Sequence, residues 1–172
     1  MTISSIFRSG IGFDVHKVEP TTDLNNSIVL GGVRIKHNKK LIAHSDGDVL
    51  IHAVMDAILG ACALNDIGYY FPPSDDKYKN ANSMQLLSEV VTLVTSKNFM
   101  LINIDSVIMC ERPKILPHRD KMRENLAKVL GLDISRIGVK ATTTEKLGFI
   151  GRDEGIAVQA VATVKESFYE MD

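Results

Sequence analysis

The stretch from His44 to Phe71, HSDGDVLIHAVMDAILGACALNDIGYYF, restricts the fold more than any other, because it asks one helix to be small on one face and ionisable on another. Val49, Ala53, Ala57 and Gly60 recur at helical spacing and form a small, smooth stripe. Asp48, His52 and Asp56 stand at i, i+4 and i+8 and share a different face, so a histidine lies between two carboxylates, each one turn away. Ser45 precedes the apolar run with Asp48 three residues on, the spacing of a capping box, which predicts a helix from about Asp46 to Ala63. His44 and Ser45 then fall at its N-terminus, where free N–H groups and the helix dipole favour an anion. The stretch reads as a metal-ligand helix with a phosphate-binding mouth.

Around that helix the chain alternates between strands and helices. Ile3 to Val18 reads as a strand with Gly10 and Gly12 where another backbone comes close, and Asp14 and His16, two apart, leave it by one face. Glu19 to Ser27 reads as a loop, Ile28 to Ile35 as a short strand or hairpin arm, and Lys36 to Lys40 as a basic solvated turn. Asn65 to Asn82 has no period of either kind, and a loop of that length in a compact domain suits an active-site flap. Ser83 is expected to cap a second helix through about Lys97. Leu101 to Cys110 alternates with Ile102, Ile104, Ile108 and Cys110 on one face, and the turn Glu111 to Pro117 leads to a third helix ending at Leu130 before Gly131. Strands are predicted at Ile137 to Thr144 and Ile156 to Val164, separated by a glycine-punctuated turn from Glu145 to Gly155, with a frayed acidic tail. The expectation is one α/β (α+β) domain over 1–172, a mixed sheet with three main helices on one face. The last strand is apolar on both faces apart from Gln159 and Thr163, so the other sheet face needs a partner, and a symmetric homo-oligomer supplies one.

Composition narrows the class. A net charge of −1 gives no electrostatic reason for a nucleic acid or membrane partner, and no run is apolar enough to span a bilayer. The two cysteines, Cys62 and Cys110, lie in apolar surroundings and read as reduced core residues. The opening MTISSIFRSG has neither a signal core nor an arginine-rich leader, which points to the cytoplasm.

Several clusters carry chemistry, each with a plainer reading beside it. Asp14, His16 and His52 offer Zn²⁺ two imidazoles and a carboxylate, leaving a fourth position open as catalytic zinc sites do. Each alone could equally be a hydrogen-bonded core or surface residue. His44 and Ser45 could bind phosphate or only cap a helix; Asp48 and Asp56 could orient His52 or be surface charges. Lys140 to Lys146, KATTTEK, is either a strand end or a phosphate grip of hydroxyls and amides in which Glu145 holds Mg²⁺. Arg152, among Gly148, Gly151 and Gly155, sits in a flexible turn or binds an anion. Walker, dinucleotide and nucleophile-elbow signatures are absent.

Taken together these blocks resemble one family. GxDxH at Gly12 to His16, HSDGDVxxHAxxDAxLGA from His44, DIG at Asp66, PKxLPH at Pro113 and KATTTEKLGFxGR from Lys140 are similar to the 2-C-methyl-D-erythritol 2,4-cyclodiphosphate synthases of the non-mevalonate isoprenoid pathway, over nearly the whole chain. The resemblance implies an enzyme that cyclises 4-diphosphocytidyl-2-C-methyl-D-erythritol 2-phosphate and releases CMP, a phosphorus–oxygen lyase. It implies Zn²⁺ on Asp14, His16 and His52, and Mg²⁺ or Mn²⁺ on Glu145 bridging the substrate's phosphates. It further implies transition-state stabilisation by His44 and Thr143, and phosphate contacts from Ser45 and Thr142. Asp66, Ile67 and Gly68 would hold the methylerythritol hydroxyls under a loop from Phe71 to Asp75. The cytosine would sit against the turn from Cys110 through Pro113, Lys114 and Ile115 to Leu116. A homotrimer with sites shared between neighbours is implied, with Phe149 and Arg152 lining a central cavity for isoprenoid diphosphates.

The chemistry suits such a site. Nucleophile and electrophile belong to one molecule, so the barrier is one of alignment and anion repulsion. Water must be excluded, and the Asn65 to Asn82 loop is the expected lid. The chain departs from the family pattern at Asn65, Pro73, Ile115 and Asp153, and at this length is expected to be monofunctional. Two rivals use the same residues: a zinc-dependent phosphohydrolase, and a non-catalytic zinc protein that binds isoprenoid diphosphates.

Overall fold

The contact between the first strand and the first helix sets the geometry of everything else. The computed structural model describes residues 2–43, 45–78 and 80–170, with 2–4 and 168–170 described by backbone alone. Strand β1 (Thr2–Pro20) and helix α1 (Val49–Ala61) meet at backbone distance. A Cβ added to Gly10 would lie 2.1 Å from the Ala61 nitrogen, and one added to Gly12 would lie 2.0 Å from the Ala53 carbonyl oxygen. Glycines on the strand and the Ala53–Ala57 stripe on the helix are therefore one device, a close approach that side chains would prevent.

The remaining strands are β2 (Ser27–Leu30), β3 (Val33–Lys36), β4 (Lys39–Ile42), β5 (Phe99–Met109), β6 (Ile137–Thr142) and β7 (Gly155–Glu170). Five form one sheet in the order β4-β1-β7-β5-β6, antiparallel except for the parallel β5–β6 pair, while β2 and β3 make a separate hairpin. Helix α1 lies on β1 and β7; the one-turn α2 (Ile67–Tyr70) follows it. Helix α3 (Ser83–Ser96) packs on α1 and β5, α4 (Arg119–Leu130) on β6 and α3, and one-turn α5 (Gly148–Gly151) precedes β7. The result is a single α+β domain with a mixed sheet and its three long helices on one face.

The opposite sheet face is apolar and uncovered. Phe7, Ile11, Phe13 and Val15 of β1 and Val161 of β7 are all exposed, and Ile11 stands directly across from Val161. Inward, Ile156, Val158, Ala160, Ala162 and Val164 are buried, so the strand is two-faced as its sequence implies. No helix among the described residues is long and apolar enough to cross a membrane. Burial pushes the Cys62 and Cys110 thiols up to about 11, which keeps both protonated and inert in the core.

Several elements differ from the sequence expectation. The basic stretch from Lys36 does not stay a loop: Lys39–Ile42 pairs with the end of β1, where Lys17 faces Ile42. A register shift between Leu101 and Asn103 reverses the alternation of β5, so Leu101 is buried and Ile102 is not on the Ile104 face. The tail after Val164 does not fray but continues in the sheet to Glu170, opposite Thr2. Helix α3 is capped by Asn82, whose Oδ1 accepts from the Met84 and Gln85 N–H groups, and Ser83 is its first turn instead.

Helix α1 starts at Val49, later than expected, because Asp48 and not Ser45 is its cap. The Asp48 carboxylate is fully buried and accepts from Gly32 N (2.7 Å), Gly31 N (2.9 Å) and Ile51 N (3.2 Å). Burial pushes its carboxyl up and these three donors oppose that shift. It thus fastens the β2–β3 turn to the helix. Asp48→Ala strands three N–H groups at once and is expected to cost on the order of 3 kcal/mol, measured by urea unfolding.

Candidate active site

The even-numbered side chains of β1 face α1. Beyond Gly10 and Gly12, the next two in that row are Asp14 and His16, and they meet His52 of α1. Ligand atoms of Asp14, His16 and His52 all lie within 4.8 Å of one another. Asp14 Oδ2 is 3.0 Å from His52 Nδ1 and 3.4 Å from His16 Nδ1, and the two imidazole centroids are 5.1 Å apart. His16 Nδ1 is buried beside this carboxylate and has no hydrogen-bond partner. Burial pushes Asp14 up, but the His52 hydrogen bond and both imidazoles bring it below its ordinary value. Burial pulls His16 down, more than Asp14 raises it, which favours the neutral, ligating ring. Two imidazoles, one with a buried nitrogen that lacks a partner, and one carboxylate fit a divalent cation with an open position.

The three ligands sit on the wall of a cleft of about 260 Å³ that also holds Ser45. Ser45 Oγ lies 3.2 Å from His52 Nε2, while His44 lies outside the described residues. Ile67, Gly68, Phe71, Pro73 and Tyr78 of the 65–82 segment form the facing wall, and Phe71 stacks edge-on against Tyr78 at 5.4 Å. That segment is not structureless: it holds α2 and a 3₁₀ turn at Asp76–Tyr78. Asp66 caps α2 through Tyr69 N at 3.0 Å, and Asp75 turns back to Lys77 N at 2.9 Å, outside the cleft wall.

Asp48 and Asp56 do not orient His52 with their carboxylates. Asp48 is committed to the cap described above, and Asp56 Oδ1 accepts from Ile67 N at 2.9 Å, pinning the turn that carries Ile67 and Gly68. Helical spacing places all three side chains on one face correctly, but not their hydrogen bonds. Besides Asp14, the side chains hydrogen-bonded to His52 are Ser45 and Ser83, with Asp46 behind Ser83. In the sequence Ser83 reads as a helix cap, a role its neighbour Asn82 takes.

A second group of candidates lies elsewhere in the same chain. Thr142 ends β6 and stands opposite Met109, which stands opposite Ala157, which stands opposite Val15. Thr142 is therefore level with Val15, between Asp14 and His16 along the strand, but three strands away, about 14 Å at ordinary strand spacing. Beyond it, Thr143 Oγ1 donates to Glu145 Oε1 at 3.1 Å, and Glu145 has a φ of +51°. The turn after β5 packs beside them: Cys110 N donates to Thr142 O at 3.1 Å and Cys110 Sγ approaches Pro113 O. Lys114 lies in that turn, Ile115 is buried beneath it and Leu116 is exposed. Phe149 is on α5 and Arg152 pairs with Glu154 at 2.9 Å. None of these residues lines the metal cleft. The candidates of one chain therefore fall into two separate groups.

The YgbB family model matches residues 7–165. The chain belongs to the YgbB family. A 2-C-methyl-D-erythritol 2,4-cyclodiphosphate synthase of Dehalococcoides mccartyi is 52% identical over 159 residues, 92% of this chain and 99% of that protein. The bifunctional IspDF of Campylobacter jejuni is 49% identical with a TM-score of 0.88; the match covers 95% of this chain and 43% of that longer one. IspF of Plasmodium falciparum, solved as a CDP complex, is 36% identical with a TM-score of 0.80, covering 92% of this chain and 95% of that one.

Within the YgbB fold the four departures have separate settings. Asp153 adopts a φ of +58°, the left-handed region that favours glycine, and its carboxylate is held by Lys39 Nζ at 2.8 Å. Pro73 faces the cleft and Ile115 is a core residue. Asn65 has no positive φ, and nothing in the structure explains this departure.

Proposed function

We propose that this YgbB-family protein converts 4-diphosphocytidyl-2-C-methyl-D-erythritol 2-phosphate into 2-C-methyl-D-erythritol 2,4-cyclodiphosphate and CMP, as a phosphorus–oxygen lyase of cytoplasmic isoprenoid biosynthesis. The observation that carries it is the Asp14–His16–His52 cluster, in a chain that matches a named cyclodiphosphate synthase almost end to end. An oxygen of the substrate's 2-phosphate attacks the β-phosphorus; the bond from that phosphorus to the oxygen shared with the α-phosphate breaks, and CMP leaves with the electron pair. Asp14, His16 and His52 would hold Zn²⁺, and Glu145 would hold Mg²⁺ or Mn²⁺; bound there, such divalent cations would supply neutralisation of the phosphate charge.

The chain's own residues then align and enclose the substrate. Ile67 and Gly68, with Asp66, grip the methylerythritol hydroxyls, and Asp56 fixes that turn through Ile67 N. Phe71, Pro73 and Tyr78 exclude water, so hydrolysis does not compete with ring closure. His44 and Thr143 stabilise the developing charge, Ser45 and Thr142 contact phosphate, and the Cys110–Leu116 turn with Lys114 holds the cytosine.

A diphosphate cannot touch both half-sites of one chain, because adjacent phosphorus atoms are far closer than the roughly 14 Å spanned by three strand spacings. The Thr142–Glu145 half-site therefore meets the metal cleft of a neighbouring copy. The exposed row of Phe7, Ile11, Phe13, Val15 and Val161 is the surface on which copies pack, and a homotrimer closes the arrangement, leaving Phe149 and Arg152 toward its centre.

The test is ³¹P NMR of the purified protein with the cytidyl substrate and Mg²⁺. Cyclodiphosphate and CMP are expected. Orthophosphate instead would identify a hydrolase, and zinc binding without turnover would identify a binding protein.

A further inference from the structure

We propose that Ser83, backed by Asp46, is a positioning residue that fixes which nitrogen of His52 faces the metal. The inference rests on the metal reading of Asp14, His16 and His52. His52 Nε2 is 3.0 Å from Ser83 Oγ and 3.2 Å from Ser45 Oγ, while Nδ1 points the other way, 3.0 Å from Asp14. Ser83 is fully buried, and its hydroxyl lies 2.5 Å from Asp46 Oδ1. The same carboxylate takes Ser83 N on Oδ2 at 2.9 Å and Asp48 N on Oδ1 at 3.2 Å. A carboxylate only accepts, so the single Ser83 proton is committed to Asp46. What Ser83 turns toward His52 is therefore a lone pair, and Nε2 must supply the proton. With Nε2 protonated, a neutral ring carries its free lone pair on Nδ1, the nitrogen beside Asp14 and His16.

Ser45 is compatible with either direction, since its oxygen accepts from Gly47 N at 3.3 Å while its hydroxyl proton has no fixed acceptor, so the direction is set by Ser83. The chain of donation runs from His52 to Ser83 to Asp46 without a break. Partners of this kind, one bond behind a ligating histidine, set its tautomer and ring angle and typically carry a ten- to hundredfold share of metal affinity. Asp46 N also donates to Ala81 O at 3.2 Å, so the pair ties the metal ligand to the end of the 65–82 segment that walls the cleft.

The test compares Zn²⁺ affinity, by competition with a chromophoric chelator, in wild type, Ser83→Ala and Asp46→Asn. Asp46→Asn keeps the shape but lets its amide donate to Ser83 Oγ, which releases the hydroxyl proton toward Nε2 and drives the imidazole proton onto Nδ1. Both variants are expected to bind Zn²⁺ about ten- to hundredfold more weakly. In ¹⁵N NMR of the zinc-loaded wild type, His52 Nε2 is expected at the shift of a protonated nitrogen. Urea unfolding of the metal-free proteins separates this from a loss of fold, because the affinity loss is expected to exceed any change there. Wild-type zinc binding with both variants equally tight, or an unprotonated Nε2, would overturn the inference alone. A wild type that binds no Zn²⁺ would overturn the metal reading and this inference with it.

Discussion

Chelation of the bound metal, or His52→Ala, is expected to abolish cyclodiphosphate formation while the protein still unfolds cooperatively. A metal that builds the fold and one that works on it differ in what their removal leaves behind. Small zinc domains have no core without their ion. Here α1 is already held by backbone contact with β1, by the Asp48 cap and by a core in which Leu50, Ile51, Met55, Ile58 and Leu59 are fully buried. The ion's contribution to stability is then only mass action, about 2.7 kcal/mol at a hundredfold excess over its dissociation constant. For a domain of this size that corresponds to a fall of roughly 5–10 °C in Tm on stripping the metal. Calorimetry of the stripped protein, with ³¹P NMR on the same sample, checks both halves. A stripped protein with no cooperative transition would make the ion structural; full turnover after complete removal would exclude it from the reaction.

Much of the site is legible in the sequence itself. Helical and strand periods place Asp14 and His16 on one face of a strand and His52 on one face of a helix. Gly10 and Gly12 mark a place where another backbone comes close, but that this backbone is α1 is seen only in the fold. Side-chain direction is the limit. Asp48 and Asp56 share the His52 face as spacing requires, yet one turns to the Gly31–Gly32 turn and the other to Ile67, partners supplied by distant segments. Ser83 and Asn82 are both good capping residues, and only the packing of α3 decides which one caps and which is free to touch His52. The strand at Lys39–Ile42 escapes a reading by pattern because its lysines suit a solvated turn equally well, and pairing with β1 is a long-range contact. The reversed phase of β5 comes from a bulge that leaves no mark in an apolar run.

Gly12→Ala is expected to damage stability and metal binding together, because the same contact carries both. The added Cβ would sit 2.0 Å from the Ala53 carbonyl oxygen and 2.6 Å from the Ala57 nitrogen, both backbone atoms of α1 that cannot rotate away. Ordinary contact requires the helix to lift by roughly 1.4 Å, a small-to-large change costing about 1–3 kcal/mol or more. That shift also carries His52 away from Asp14 and His16, and a displacement of about 1 Å in a catalytic array costs on the order of a hundredfold in rate. Gly60→Ala is the matched control. It lies on the same helix over the same strand, but its Cβ would meet Ile11 O at 3.6 Å, an ordinary contact. There the helical preference for alanine should leave stability unchanged or raise it by up to about 1 kcal/mol. Urea midpoints, zinc affinity and turnover measured on both variants decide the matter. A Gly12→Ala protein that unfolds earlier yet binds Zn²⁺ like wild type would show that β1 and α1 can separate without disturbing the ligands. Equal losses from Gly60→Ala would show that the seam tolerates no added methyl anywhere, and that the backbone approach at Gly12 has no special role.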